Sequence, residues 1–200
     1  GYGLDTIVSC SSDNGANWSY TFANYLGDNG NKYDTSSTAF IDPALAVDGS
    51  TVYMLVDLYP GGTYIGNVQK GTGFNAAGNL LLKKRGENGF NYYLEDGEIY
   101  SVEGDEKQLG YSVDDYFNLT DPNNATSNLF FSNSPFQVLS TSYLYLTKSI
   151  DGGKTWSAPQ MLNPDVKDDS DYFYGVGPGR GLVTSTGRIM FACYTDTTQD

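Results

Sequence analysis

Two octapeptides constrain what this chain can fold into more than any other feature. SSDNGANW at 11 to 18 and SIDGGKTW at 149 to 156 carry serine, aspartate, glycine and tryptophan in one order, with Asn17 standing in the first where Thr155 stands in the second. The second directly follows the strand-like run YLYLTK. This is the chemistry of a stapled turn. Asp13 and Asp151 tolerate turn geometry, and their carboxylates can accept hydrogen bonds from backbone N–H groups just ahead in the chain. Gly15, Gly152 and Gly153 permit positive φ without steric cost. The hydroxyls of Ser11, Ser149 and Thr155 close further turn bonds, and Trp18 and Trp156 bring a large apolar face to the opening of the return strand. A unit of this kind that occurs twice points to a propeller or a solenoid.

Composition narrows the class. The 24 glycines, 17 tyrosines and 10 phenylalanines suit many short strands joined by turns. TVYMLVDLY (51 to 59), TSYLYLTKS (141 to 149) and GRIMFACYT (187 to 195) are β-branched and aromatic, bounded by turn residues, and read as strands. The expected class is all-β. A formal charge of −13 disfavours nucleic acid and anionic membrane surfaces as partners, and no run approaches the ~18 apolar residues that a membrane helix needs. Histidine is absent, which removes a Ser-His-Asp triad and the commonest general base. The two cysteines, Cys10 and Cys193, lie in strand-like stretches and read as buried free thiols; without histidine they give no zinc spacing, and no metal or cofactor is expected. The acidic run DVKDDSD (165 to 171) lacks the order of a calcium loop and reads as a solvated loop. Asn17, Asn118 and Asn124 open matches to N-x-[ST], the first of them inside a turn motif.

Asp13 and Asp151 are 138 residues apart, whereas one four-stranded blade takes about 40–50. Something extra therefore lies between the two turns. The segment 66 to 131 shifts to glycine and asparagine and carries hairpin signals at NYYLEDGEIYSVE and SVEGDEKQLGYSV. It reads as a small β-rich subdomain inserted between propeller segments 1–65 and 132–200. The remainder amounts to about three blades, fewer than a closed propeller needs, so the chain reads as cut at both ends.

The repeated S-x-D-x-G-x-T-W spacing resembles the Asp-box of sialidases and other Asp-box propellers. The order of landmarks is more specific: STAFIDPAL (37 to 45), LVDLYPGG (55 to 62), then SYLYLTKSIDGGKTWSAPQ (142 to 160), GVGPGRG (175 to 181) and GRIMFACYT. That order is similar to the bacterial exo-α-sialidase family with an inserted domain, over nearly the whole chain. The resemblance implies part of a six-bladed propeller and a retaining glycosidase that releases, or transfers intramolecularly, the terminal sialic acid of glycoproteins and glycolipids. It further implies a secreted or cell-surface protein. In that family an arginine triad holds the sugar carboxylate, a tyrosine assisted by glutamate is the nucleophile and an aspartate is the acid/base. A tyrosine suits an anomeric carbon whose own carboxylate would repel an attacking Asp or Glu. By the same resemblance all of these groups fall outside this chain, so no catalytic residue is expected within it and the fragment alone is expected to be inactive. Asp5 reads as a structural residue of the strand that leads into the first box.

What carries over is one wall of the pocket. Asp42, in FIDPAL, matches the aspartate that accepts the N–H of the sugar's acetamido group. Tyr59 and Tyr64, in LYPGGTY, match aromatic positions lining the acetamido pocket. Arg180, in GPGRG, is a candidate rim contact, because glycines let the backbone approach a ligand closely. Arg188 reads as structural. The alternative class is a non-catalytic Asp-box propeller that binds glycan or protein.

Overall fold

Strands form in this chain wherever β-branched and aromatic runs meet glycine or aspartate punctuation, and nearly all of its regular structure is of that kind. The structure, a computed structural model, describes residues 3–26 and 38–198. Strands β1 (Thr6–Cys10) and β2 (Ser19–Asn24) form a hairpin around the first octapeptide. They are followed by β3 (Ala39–Asp48) and β4 (Thr51–Tyr59), the longest antiparallel pair. The chain then makes an excursion through β5 (Leu80–Lys84), β6 (Tyr92–Glu95), β7 (Glu98–Ser101), β8 (Ser112–Val113), β9 (Asn118–Thr120), β10 (Thr126–Asn128) and β11 (Phe136–Gln137). It returns as β12 (Tyr143–Ser149), β13 (Gln160–Met161), the one-turn helix α1 (Asn163–Val166) and β14 (Phe173–Val176). Four short strands follow: β15 (Gly179–Arg180), β16 (Leu182–Val183), β17 (Ile189–Met190) and β18 (Cys193–Asp196). The chain is all-β.

The central sheet has the order β13-β12-β4-β3-β15, with β4 in the middle and β15 the one parallel neighbour. Its middle strand is buried from Met54 to Tyr59, as expected for a strand covered on both faces. Val56, Leu58, Tyr143 and Tyr145 of this sheet join Leu80, Leu82, Ile99, Val113 and Leu119 of the excursion in one continuous core. The excursion is thus welded to the sheet by burial, at about 1.5–3 kcal/mol for each fully buried large side chain. Strands β6 and β7 are joined at Asp96-Gly97, where both residues take positive φ (48° and 77°), the pattern that joins two strands by a tight mirror-type turn.

Four expectations need correction. GRIMFACYT is not one strand but two, β17 and β18, which pair with β16 and β14 respectively. After the second octapeptide the return strand opens at Gln160, not at Trp156. Neither cysteine is fully buried: Cys10 is half-buried and Cys193 lies exposed on the edge strand β18, each in a two-stranded sheet. The acidic run is not wholly solvated, since Lys167 and Asp171 are both buried within it. The Lys167 ammonium donates to the Thr141 hydroxyl and reaches the Ser142 and Tyr172 carbonyls at 3.3 and 3.4 Å.

Candidate functional site

The two octapeptides satisfy themselves. In the second, Asp151 Oδ1 accepts the Ser149 hydroxyl at 2.8 Å and the N–H groups of Lys154 and Thr155 at 3.0 and 2.9 Å, while Oδ2 accepts the Thr155 hydroxyl at 2.7 Å. Ser149 Oγ in turn accepts the Gly153 N–H at 2.8 Å. The first is built alike: Asp13 accepts from Ser11 and from the Asn17 N–H, both at 2.8 Å, and the Asn17 amide supplies the bond that the Thr155 hydroxyl supplies in the other. Donors from Asn17 pull the Asp13 carboxyl down to about 2, and donors from Thr155 hold Asp151 well below the usual carboxylate range.

The second turn also docks on the first hairpin. Thr21 donates to the Gly153 carbonyl at 2.6 Å and accepts the Trp156 indole N–H at 3.3 Å. Gly152 donates to the Ser50 carbonyl at 2.8 Å, so the turn is also tied to the connection between β3 and β4. Trp156 is half-buried by this docking; Trp18, its counterpart, is 64% exposed.

A different group of residues gathers at the opposite end of β4. The register of β3 against β4 shifts between Ile41 and Ala44, so that Asp42 and Pro43 together face Val56. This is a bulge, the device that re-aims a side chain out of strand alternation, and Pro43 has no N–H to leave unpaired in it. Asp42 takes φ of 55°, a left-handed conformation that costs about 1–3 kcal/mol in a non-glycine residue. Across from Ile41 stands Asp57, fully buried in the middle strand. Its Oδ1 accepts the Val176 N–H at 2.9 Å, and its Oδ2 has no hydrogen-bond partner. Burial, and secondarily the charge of Asp42, push the Asp57 carboxyl up to about 7.

Tyr59, two residues on and nearly buried, stacks on Phe173 with ring centroids 6.4 Å apart, and Phe173 lies 5.0 Å from the half-exposed Tyr194 of β18. Burial raises both phenols above their ordinary range, and the charges of Asp57 and Asp42 add to the shift in each. Although Cys193 is exposed as a residue, its thiol is partly shielded from water, and that shielding, followed by the charge of Asp57, raises it in the same direction. Among the sequence candidates, then, the fold brings Asp42 and Tyr59 together. Arg180 lies exposed on β15, whose Gly179 and Arg180 run parallel to Ala44 and Leu45, just beyond the bulge. Gly181 anchors that strand, donating to the Leu45 carbonyl at 2.8 Å at a point where a Cβ would stand 2.7 Å from the Phe191 ring. Tyr64 is 62% exposed in the turn after β4, with its N–H held by the Asn67 side chain, and shares no described contact with the Asp42 group. Arg188 is exposed and its N–H donates to the Thr184 hydroxyl.

Asp57, Phe173 and Tyr194 were not singled out from the sequence. Asp57 did leave a signal, a lone charged residue in the apolar run MLVDLY. The other two come from strands more than 100 residues further on, and only the pairing of β14 with β18 delivers them. The assembled group is acidic and aromatic: a carboxylate able to accept an N–H, with flat apolar surfaces beside it.

No family model matches the chain. It is 28% identical to Sialidase B of Streptococcus pneumoniae, over 96% of this chain and 34% of that protein, and 27% identical to the anhydrosialidase of Macrobdella decora, over 96% of this chain and 32% of that protein. Among solved structures, the intramolecular trans-sialidase from Ruminococcus gnavus superposes with a TM-score of 0.82 at 24% identity, covering 96% of this chain and 49% of that one. The chain spans about a third to a half of the length of these relatives.

Proposed function

We propose that this chain, a relative of the sialidases and part of a sialidase-type β-propeller, contributes the acetamido-binding wall of an exo-α-sialidase. The observation that carries the reading is the strained bulge at Asp42: a left-handed aspartate is costly to build, and its charge reaches both Tyr59 and Tyr194. A carboxylate at that place accepts the acetamido N–H of sialic acid, and the half-exposed Tyr194 offers a face to its methyl group, with Phe173 and the buried Tyr59 stacked behind it. The substrates are sialylated glycans of glycoproteins and glycolipids, met outside the cell by a secreted or surface-bound protein. The retaining tyrosine, its glutamate, the acid aspartate and the arginine triad belong to sequence outside these 200 residues, and the segment 66–131 is an insertion in the propeller.

The test uses the full-length protein. Asp42→Ala should raise KM for an acetamido-bearing sialoside by about 5- to 150-fold, the equivalent of one hydrogen bond worth about 1–3 kcal/mol, and should do much less to a substrate with hydroxyl in place of the acetamido group. Equal losses on both substrates would remove the reading. Product analysis separates the two reaction outcomes, because free sialic acid marks hydrolysis and an anhydro sugar marks intramolecular transfer.

A further inference from the structure

Asp57 is a costly residue with no role in the wall just described. It stands in the middle strand of the central sheet without solvent exposure, flanked by Val56 and Leu58 and facing Ile41 and Leu144 on the neighbouring strands. One backbone N–H, that of Val176, serves one of its oxygens. The other oxygen lies against Gly175, where a Cβ would approach it to 2.6 Å, so β14 is shaped around it. A buried ionised carboxylate is tolerated only when cations or several donors surround it. Here the titratable groups facing it are Asp42 from β3, Tyr59 on its own strand, and Cys193 and Tyr194 from β18. All are neutral or acidic. The ion pairs of the described residues, Lys84 with Glu87 and Lys107 with Glu98, lie elsewhere.

We propose that Asp57 is a positioning residue that works as an uncharged carboxylic acid, fastening β14 to the middle strand and keeping a second negative charge out of the floor behind Asp42. The role rests on the reading of Asp42 as the acetamido acceptor. In the neutral form one oxygen accepts from Val176 and the other carries the proton, so no charge is stranded between β4 and β14. Ionisation would place an unpaired charge beside Asp42, repelling it and the carboxylate of an approaching sialic acid, and would press β14 and its neighbour β18, with Tyr194, away from Tyr59. The raised titration range of Asp57, near 7, supports this and sets where the change falls.

The experiment compares full-length wild type, Asp57→Ala and Asp57→Asn by KM, kcat and infrared spectroscopy from pH 5.5 to 8.5. Wild-type KM should rise by about tenfold across pH 7 with kcat nearly constant, while a protonated-carboxyl band present at acid pH disappears. Asp57→Ala should raise KM about tenfold at pH 5.5. Asp57→Asn, a neutral side chain of the same shape, should rescue KM at pH 5.5 and make it independent of pH. A folded Asp57→Asn no better than Asp57→Ala, or a wild type with flat KM and no protonated-carboxyl band, overturns the proposal. If Asp57→Asn does not fold, the wild-type profile and its infrared band decide alone. Should Asp42→Ala leave KM unchanged while that band titrates as described, the acetamido reading fails and the neutral state of Asp57 stands apart from it.

Discussion

Replacing Asn163 by alanine should damage the fold more than its place in a four-residue helix suggests. The side chain is buried, and its one amide group joins three parts of the chain. Oδ1 accepts the Leu144 N–H of β12 at 2.8 Å, and Nδ2 donates to the carbonyls of Ser142 and Thr72, both at 2.9 Å. In Asn163→Ala the Ser142 carbonyl keeps the Lys167 ammonium at 3.3 Å. The Leu144 N–H and the Thr72 carbonyl lose their partner. Each such orphan costs about 1–3 kcal/mol, so the substitution should destabilise by about 2–6 kcal/mol, against a total that for an ordinary domain is only about 5–15 kcal/mol. Urea unfolding of the full-length protein, followed by tryptophan fluorescence, measures this directly. Asn123→Ala in an exposed turn serves as the control and should stay within about 0.5 kcal/mol. A loss below about 1 kcal/mol at unchanged m-value would refute the reasoning, showing that the three segments hold together without the amide.

Other outcomes follow from the same bonds. Asp42→Gly should relieve the left-handed backbone, so its melting temperature should equal or exceed that of wild type while KM rises as in Asp42→Ala. Asp151→Ala should lower the melting temperature and, on the proposed function, leave kcat of the folded full-length protein unchanged, since every bond of that carboxylate stays within its own turn. Asp13 and Asp151 have depressed carboxyls, so the stability they contribute is present above about pH 4 and lost as pH falls toward 2; melts taken between pH 5 and 2 should steepen accordingly, less so in Asp151→Asn. Burial lowers the Lys167 ammonium to about 8, so the unfolded chain holds that proton more tightly than the folded one. Stability should therefore rise with pH between about 8 and 10, and Lys167→Met should abolish that rise.

Much of this architecture was legible in the sequence, because its signals are local. Ser149, Asp151, Gly153 and Thr155 make their bonds inside one octapeptide, so spacing alone foretold the turn. The runs of β4 and β12 announce themselves by apolar, aromatic composition. The FIDPAL motif marks Asp42 in the sequence but not its bulge, since a register shift depends on what the partner strand does. The burial of Lys167 is hidden for a similar reason: its acidic neighbours suggest water, while the groups that bury it, Thr141, Ser142 and Tyr172, lie elsewhere in the chain or beyond the acidic side chains next to it. Phe173, Tyr194 and the cradle at Gly175 are tertiary facts with no spacing to betray them.

The central sheet has two ends of opposite character. At one, Gly152 holds Ser50 and Trp156 holds Thr21, a latch between neighbouring modules made of backbone carbonyls, one hydroxyl and one indole. At the other, where Tyr143 pairs with Leu58, the long excursion departs, the bulge distorts β3 and Asp57 sits without charge compensation. Because the latch shares no residue with the group around Asp42 and Asp57, loops can lengthen and backbone strain be accepted at the second end without loosening the first. Innovation in such a molecule is therefore polarised: insertions and substitutions should accumulate where Tyr59 lies, and changes at Thr21 or Trp156 should be tolerated only when they return the same hydrogen bond.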